Sequence, residues 1–334
     1  MKNRLTNLVH EFARRRVVVV GDLVADQFLY GEISRVSREA PVLILRHERT
    51  ETVPGGAANC AVNLASLGAE AVIVGVVGND AAGVALLDKL RASGVNVEGV
   101  VRAPELRTAT KMRVLAGQAH SVRQQVIRVD YENEPLSSLS NAKLEAEICA
   151  RLFEALARAD AIIVSDYNYG VAGTETAKVV RETSRERGVP ALVDSRFRLL
   201  EFPDFTSATP NEDEVEQVLG RRLADAATLE AAATELRERL GHQALLITRG
   251  SQGMLLLEAG AAPLHLAAVG SREAVDVTGA GDTVIAAYTL ALACGATFAD
   301  AAHLANHAGG IVVMKRGTAS VKAVELLSSI GESL

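Results

Sequence analysis

The sequence predicts a doubly wound α/β domain, with a mostly parallel sheet and a small antiparallel β lid. Short runs of Val, Ile and Leu recur without period-2 alternation, as strands buried on both faces require. Between several of them lie Ala-, Leu-, Glu- and Arg-rich stretches of helical length, and strands alternating with helices make a parallel sheet covered on its faces. Two segments break the rhythm with alternating, half-exposed strands, so they stand off the main sheet.

Taken in order, the chain opens on "MKNRLTNLVHEFARRR", a charged amphipathic helix without the apolar stretch of a signal peptide. Residues 17–22, "VVVVGD", are the first strand, and 27–53 the first lid segment. "PGGAANCAVNLASLGAE" (54–70) enters an Ala-rich helix through paired glycines, followed by a strand at 71–78 and a helix over 80–93. The second lid segment, 104–131, carries basic residues on one face. Helices over 141–157, 173–187 and 225–240 then alternate with strands at 161–167, 191–195, 244–250 and 254–258. A further helix starts in "TPNEDEV" (209–215), and in "DVTGAGDTVIAAYTLALAC" the apolar run Val284 to Cys294 is helical. Nothing resembling a repeat, low-complexity tract or long linker divides the 334 residues, so the expectation is one domain over 1–334 with the lid formed from about 27–53 and 104–131.

Composition narrows the function. A net charge of -6 argues against nucleic acid held by a basic face, because such binding rests on Lys and Arg neutralising phosphates. Cys60, Cys149 and Cys294 are far apart, odd in number and without CxxC pairing, so neither a disulfide framework nor a zinc site is suggested and a reducing cytoplasm fits. No 18-residue uncharged apolar run occurs, so no membrane span is expected.

Ligands of open α/β sheets bind beyond the carboxyl ends of the strands. There the chain places Gly21, Asp22 and Asp26, then Ser165, Asp166 and Tyr167, then Asp194, then Thr248, Arg249 and Gly250. Each is a common cap alone; their accumulation on one edge is the stronger observation. Gly55 and Gly56 would let a ligand approach the backbone, and Asn59 in the first helical turn could bond a polyol hydroxyl, although a tightly packed helix start would look the same.

Gly279, Ala280, Gly281 and Asp282 form the first turn of the late apolar helix. Small residues bare backbone amides where the helix dipole is positive, which suits a transferring phosphoryl group, with Asp282 beside it. A carboxylate at that position should be held ionised and be a weak base, which phosphoryl transfer tolerates. Asn211 and Glu214 could converge on Mg²⁺ or simply cap their helix. P-loop, GxGxxG, HExxH and GxSxG signatures are absent, which disfavours a nicotinamide oxidoreductase among others. His303 and His307 are one turn apart without a third ligand nearby and read as packing or nucleotide-pocket residues.

Together, "PGGAANCA" early and "DVTGAGDT" late resemble the two signatures of the PfkB or ribokinase family of sugar kinases, with "TPNEDE", "TRGSQG" and "ANHAGGIVV" in the family's order. The resemblance implies a ribokinase-like three-layer α/β/α sandwich, ATP and Mg²⁺ as cofactors with a monovalent cation left open, and a small-molecule partner. Within the family, "GDLVADQFLYGEISRVSREAP", "TKMRVL", "RQQVIRVD" and "GIVVMKRGT" resemble the subgroup that phosphorylates D-glycero-β-D-manno-heptose 7-phosphate at its anomeric oxygen, on the route to ADP-heptose. Another kinase of the family, acting on a free sugar or a different phosphosugar, and a sugar or nucleotide sensor that no longer transfers phosphate are the alternatives.

Carried onto this chain, the resemblance makes Asp282 the base and Gly279, Ala280 and Gly281 the anion hole. It assigns Asp26, Gly55, Gly56 and Asn59 to sugar hydroxyls, and Asn211 and Glu214 to Mg²⁺. Thr248, Gly250, Gly253, Thr278 and Asn306, with Asn211, would line the ATP site. A substrate that already carries phosphate needs a second cationic pocket, for which the lid offers Arg35, Arg38, Lys111, Arg113, Arg123 and Arg128, unless these only keep edge strands soluble. The lid also suggests a homodimer. Two segments depart from the subgroup: "SDYNYG" puts Tyr169, and "DSRFRL" puts Ser195 and Arg196, where Lys and Pro-Lys are expected. Arg196 preserves the charge and Tyr169 does not.

Overall fold

The computed structural model describes residues 1–118, 123–133, 142–271 and 273–332. Its strands are β1 (Arg16–Gly21), β2 (Leu23–Val36), β3 (Leu43–Gly56), β4 (Glu70–Gly78), β5 (Asn96–Ala103), β6 (Thr110–Gly117) and β7 (Gln124–Tyr131), followed by β8 (Ala161–Asp166), β9 (Ala191–Ser195), β10 (Ser207–Ala208), β11 (Ala244–Thr248), β12 (Met254–Glu258) and β13 (Leu264–Leu266). The helices are α1 (Lys2–Glu11), α2 (Ala57–Ser66), α3 (Ala81–Ala92), α4 (Ala142–Leu156), α5 (Thr174–Arg187), α6 (Glu212–Leu219), α7 (Ala226–Leu240), α8 (Ala280–Ala293), α9 (Phe298–Val312) and α10 (Ala323–Glu332).

The main sheet has the order β13-β12-β11-β10-β9-β8-β1-β4-β5. It is parallel from β11 to β5, and β12 and β13 close one edge antiparallel. The absence of alternation in its strands has a direct cause. Val17 and Val19 enter one core with Leu5, Leu64, Ile285 and Leu304, while Val18 and Val20 enter the other with Leu152, Val180 and Leu236. Helices α1, α2, α3, α8, α9 and α10 thus cover one face and α4, α5, α6 and α7 the other, which makes three layers. β1 lies between β4 and β8, so the chain leaves it in opposite directions and opens a crevice at its carboxyl end.

The lid is a separate four-stranded sheet in the order β3-β2-β6-β7. Its outer ladders are antiparallel as expected, and its central β2–β6 ladder is parallel. Between β2 and β6 the chain returns to the body to build α2, β4, α3 and β5, so both strands leave from the same base and must run the same way. Pairing starts lower than the sequence suggests, at Leu23 opposite Gly56, and every residue of β7 is exposed.

Candidate active site

The carboxyl ends of β1, β8 and β9 deliver Asp22, Asp166 and Asp194 to one crevice, and the end of β11 delivers Thr248. Asp22 is 1% exposed and serves the backbone: its carboxylate accepts from the amides of Tyr167, Tyr169 and Val171 at 2.9, 2.9 and 3.0 Å. Burial pushes its pKa up to about 6 against those bonds. The loop after β8 is therefore anchored, and Tyr167 is aimed by it.

Opposite stands the start of α8. Gly279 is its N-cap at φ 74°, a left-handed conformation that a side chain would strain, and a Cβ there would meet Asn59 Nδ2 at 2.5 Å. Among the described residues the amides of Gly279, Gly281 and Asp282 find no acceptor, whereas that of Ala280 donates to the Val277 carbonyl at 3.2 Å. Bare amides at the positive end of a helix are an anion site. Ala280 also lines the site, but its amide is engaged.

Asp282 is 3% exposed, and both its oxygens are held. Asn59 Nδ2 donates to Oδ2 at 2.7 Å and the Tyr167 hydroxyl to Oδ1 at 3.2 Å. Burial pushes the carboxyl up to about 6, opposed by those two hydrogen bonds. The expectation of a weak, firmly ionised base is corrected here: burial raises the carboxyl toward the pH range in which a base works, with Asp26 adding to the rise and Lys111 opposing it. Asn59 is also placed differently from the expectation, since its amide faces the base. Its Oδ1 accepts from Asn63 at 3.3 Å, whose own Oδ1 accepts from Thr283 at 3.0 Å, so a buried chain of side chains fixes it.

Two cavities meet at this turn and share Thr248, Val277, Ala280 and Gly281. The first is largely apolar, walled by Met254, Val269, Val284 and Val313, with Gly250, Gly253 and Asn306 at its lining, as a nucleoside requires. Asn306 additionally ties down the loop after β13 by donating to the Ala267 carbonyl at 2.7 Å. Thr278 is exposed and lines neither cavity; its amide bonds Asp276 Oδ1 at 2.9 Å.

The second cavity is acidic, with Asp194, Glu214, Asp166 and Asp282. Burial raises Asp194 well above the usual carboxylate range, and the charges of Glu214, Asp282 and Asp166 raise it further. Asn211 and Glu214 form a reciprocal capping box on α6, with bonds of 2.8 and 2.9 Å, and also line this cavity. The buried Thr209 hydroxyl beside them has no partner. Four carboxylates gathered in one cavity, with an orphaned hydroxyl beside them, form a donor set that fits a hydrated divalent cation. No group of three or more His, Cys, Asp or Glu among the described residues forms a closed metal cage.

The lid base supplies the third wall. Asp26 pairs with Lys111 across β2–β6, and Lys111 with Asp130 across β6–β7; Arg113 and Arg128 lie two residues along, so these five charged groups share one face. Arg113 donates to Asp26 Oδ1 at 2.6 Å, Arg128 binds Asp130 through two nitrogens, and Lys111 stands 5.3 Å from the Tyr167 ring. Burial lowers the Lys111 pKa, and the nearby charges of Arg128 and Arg196 lower it further against Asp26. Gly55 has its reason here, because a Cβ would meet Asp26 Oδ2 at 2.5 Å.

The other lid cations do not converge on the crevice. Arg35 is nine residues beyond Asp26 on β2, roughly 30 Å along an extended strand. Arg38 follows it in the exposed turn at the tip, and Arg123 is neutralised by Glu48. Asp22, Asp166, Tyr167 and Asp194 are strand-end residues to which the sequence alone assigns no role.

Residues 14–324 match the family described as pfkB family carbohydrate kinase. The chain belongs to the pfkB family of carbohydrate kinases. It is 42% identical over 320 residues to the bifunctional protein HldE of Hahella chejuensis, covering 96% of this chain and 64% of that protein. Against the bifunctional protein HldE of Nitrosococcus oceani it is 42% identical over 329 residues, with 98% and 66% covered. The chain thus spans about two thirds of the length of these relatives. Among solved structures, Arabidopsis thaliana ribokinase complexed with ribose and ATP superposes with a TM-score of 0.71 at 21% identity, covering 95% of this chain and 98% of that one. Phosphofructokinase-2 of Escherichia coli with fructose-6-phosphate gives 0.74 at 19% identity, with 95% and 98% covered. The chain thus shares a ribokinase-like fold with these two solved structures.

Proposed function

We propose that this pfkB member transfers the γ-phosphoryl group of ATP to a phosphosugar, D-glycero-β-D-manno-heptose 7-phosphate, forming the 1,7-bisphosphate on the route to ADP-heptose. The observation that carries the reading is a buried carboxylate, Asp282, between a bare helix N-terminus and a lid face that holds Lys111, Arg113 and Arg128. A donor phosphate fits the first, and an acceptor that already bears phosphate fits the second, where its phosphate would take Arg113 and Arg128 over from Asp26 and Asp130. The long similarity to two bifunctional HldE proteins supports the heptose in particular.

In this reading Asp282 takes the proton of the anomeric hydroxyl as that oxygen attacks the γ-phosphorus, and the bond to the β-phosphate oxygen breaks to release ADP. Gly279, Gly281 and Asp282 donate amides to the transferred group, and Asp26 and Gly55 place the sugar. Asn211 and Glu214 would hold Mg²⁺, which neutralises donor phosphate charge. A monovalent cation is compatible with the acidic surroundings.

The whole stretch 1–334 acts as one kinase unit under its lid, and we place it in the cytoplasm; no described helix is long and apolar enough to cross a membrane. A second copy of the chain covers Val36, Val42, Leu43, Val126 and Ile127, which the lid leaves between 47% and 59% exposed. Light scattering should give twice the chain mass, and charged substitutions at Val126 and Ile127 should halve it.

A second reading, a different phosphosugar, is favoured by Tyr169, whose hydroxyl bonds Glu132 at 2.8 Å at the lid base. Steady-state turnover on a panel of sugars and sugar phosphates decides. Activity on heptose 7-phosphate well above all others supports the proposal; activity on ribose or fructose with none on the heptose sinks it.

A further inference from the structure

Most arginines between lid and body are already neutralised. Arg113 pairs with Asp26, Arg128 with Asp130, Arg123 with Glu48, and Arg198 with Asp166. The last pair locks the loop after β9. Asp166 also accepts from Ser195 Oγ at 2.7 Å, that hydroxyl accepts the Arg198 amide at 3.0 Å, and the Asp166 carbonyl accepts the Arg196 amide at 3.2 Å. Backbone on both sides of Arg196 is fixed while its side chain stays free.

Arg196 lines the same cavity as Gly279, Gly281, Asp282, Asn211 and Glu214. Among the described residues no carboxylate lies within ion-pair distance of its guanidinium, whose ring neighbour is Phe197 at 5.5 Å. It is exposed. Its charge is felt on both sides of the crevice, lowering the carboxyls of Asp194 and Glu214 against their burial and lowering Lys111 on the lid. An unpaired cation in a cavity with four carboxylates that it does not bind, Asp166, Asp194, Glu214 and Asp282, is available to a denser anion arriving between them.

We propose that Arg196 is a catalytic residue whose guanidinium contacts the phosphoryl group during its transfer, from the side opposite the α8 amides. The proposal rests on the kinase reading above. As the γ-phosphorus leaves the β-phosphate oxygen, whose electron pair stays with ADP, and bonds the acceptor oxygen, whose proton passes to Asp282, charge spreads over three equatorial oxygens. A planar, permanently charged fork suits two of them. Lys111 stands over the Tyr167 ring on the acceptor side and does not fill this role.

The test compares Arg196→Ala and Arg196→Lys with wild type, using the best acceptor in the sugar panel. Arg196→Ala should lower kcat on the order of 10³-fold with the KM for ATP and for acceptor changed less than about threefold, and Arg196→Lys should recover part of it. Calorimetry with ADP and aluminium fluoride, which mimics the group in flight, should show tight binding in wild type and its loss in Arg196→Ala while ADP alone binds both equally. That comparison needs no acceptor, so it judges Arg196 even where every sugar fails and the function reading falls. An unchanged kcat, an effect confined to the KM for phosphosugar, or equal aluminium fluoride binding overturns the proposal.

Discussion

Replacing Tyr167 by Phe should move the acid limb of the pH–rate profile. The hydroxyl donates to Asp282 Oδ1 at 3.2 Å, while Asn59 holds the other oxygen at 2.7 Å. Burial has already raised the carboxyl to about 6, and Tyr167 is one of the groups opposing that rise. A hydrogen bond to a charged acceptor contributes about 1.5–3 kcal/mol, and its length here argues for the lower value. At 1.36 kcal/mol per pKa unit the limb of kcat/KM should climb by about one unit, from about 6 to about 7. At pH 6.5 the ionised fraction then drops about threefold, and above pH 8 the two enzymes should nearly coincide. The ring beside Lys111 is kept, so the acceptor side is little disturbed. A uniform loss across all pH, with the limb unmoved, would refute the idea that Tyr167 tunes the base.

Asp282→Asn should be more stable than wild type at pH 8. The folded pKa, about 6, exceeds the unfolded 3.8, so the stabilising contribution is complete below pH 3.8 and is lost as pH rises through 6. A shift of about two units corresponds to up to about 3 kcal/mol, so thermal melting should show a gain of a few degrees at pH 8 that shrinks at pH 5; equal or lower stability at pH 8 counts against it. Gly55→Ala pushes a Cβ to within 2.5 Å of Asp26 Oδ2, and should raise the acceptor KM about tenfold with the ATP KM unchanged. Asn211→Ala removes a helix cap as well as a cavity oxygen, so it should cost about 1 kcal/mol in chemical denaturation and raise the Mg²⁺ concentration needed for half-maximal rate; an unshifted Mg²⁺ dependence removes Asn211 from that role.

Much of the architecture was legible because local signals agree with the fold. The helices expected over 80–93, 141–157, 173–187 and 225–240 appear at Ala81–Ala92, Ala142–Leu156, Thr174–Arg187 and Ala226–Leu240; Asp80 and Asp225 cap two of the starts, and Gly188 and Gly241 stop two of the ends. β10 and β13 escaped notice since two or three residues carry no periodicity, and β5 is an edge strand interrupted by Glu98, Gly99 and Arg102 rather than an unbroken apolar run. The parallel β2–β6 ladder depends on a return through the body that no window of sequence contains. At the site, the turn Gly279–Asp282 was readable from spacing, whereas the ionisation of Asp282 is set by burial, opposed by hydrogen bonds from Asn59 and Tyr167 and reinforced by the charge of Asp26, all far away in the chain. Register likewise separated Lys111, Arg113 and Arg128 from Arg35 and Arg38, which composition treats alike.

Turnover and nucleotide affinity of Asp282→Asn, measured side by side on heptose 7-phosphate and MgATP, bear most directly on the account. The variant should lose turnover by several orders of magnitude while ATP binds nearly as in wild type, because the carboxylate acts on the acceptor hydroxyl and the nucleotide cavity lies beyond it. A variant that turns over at the wild-type rate would contradict the assignment of Asp282 as the base.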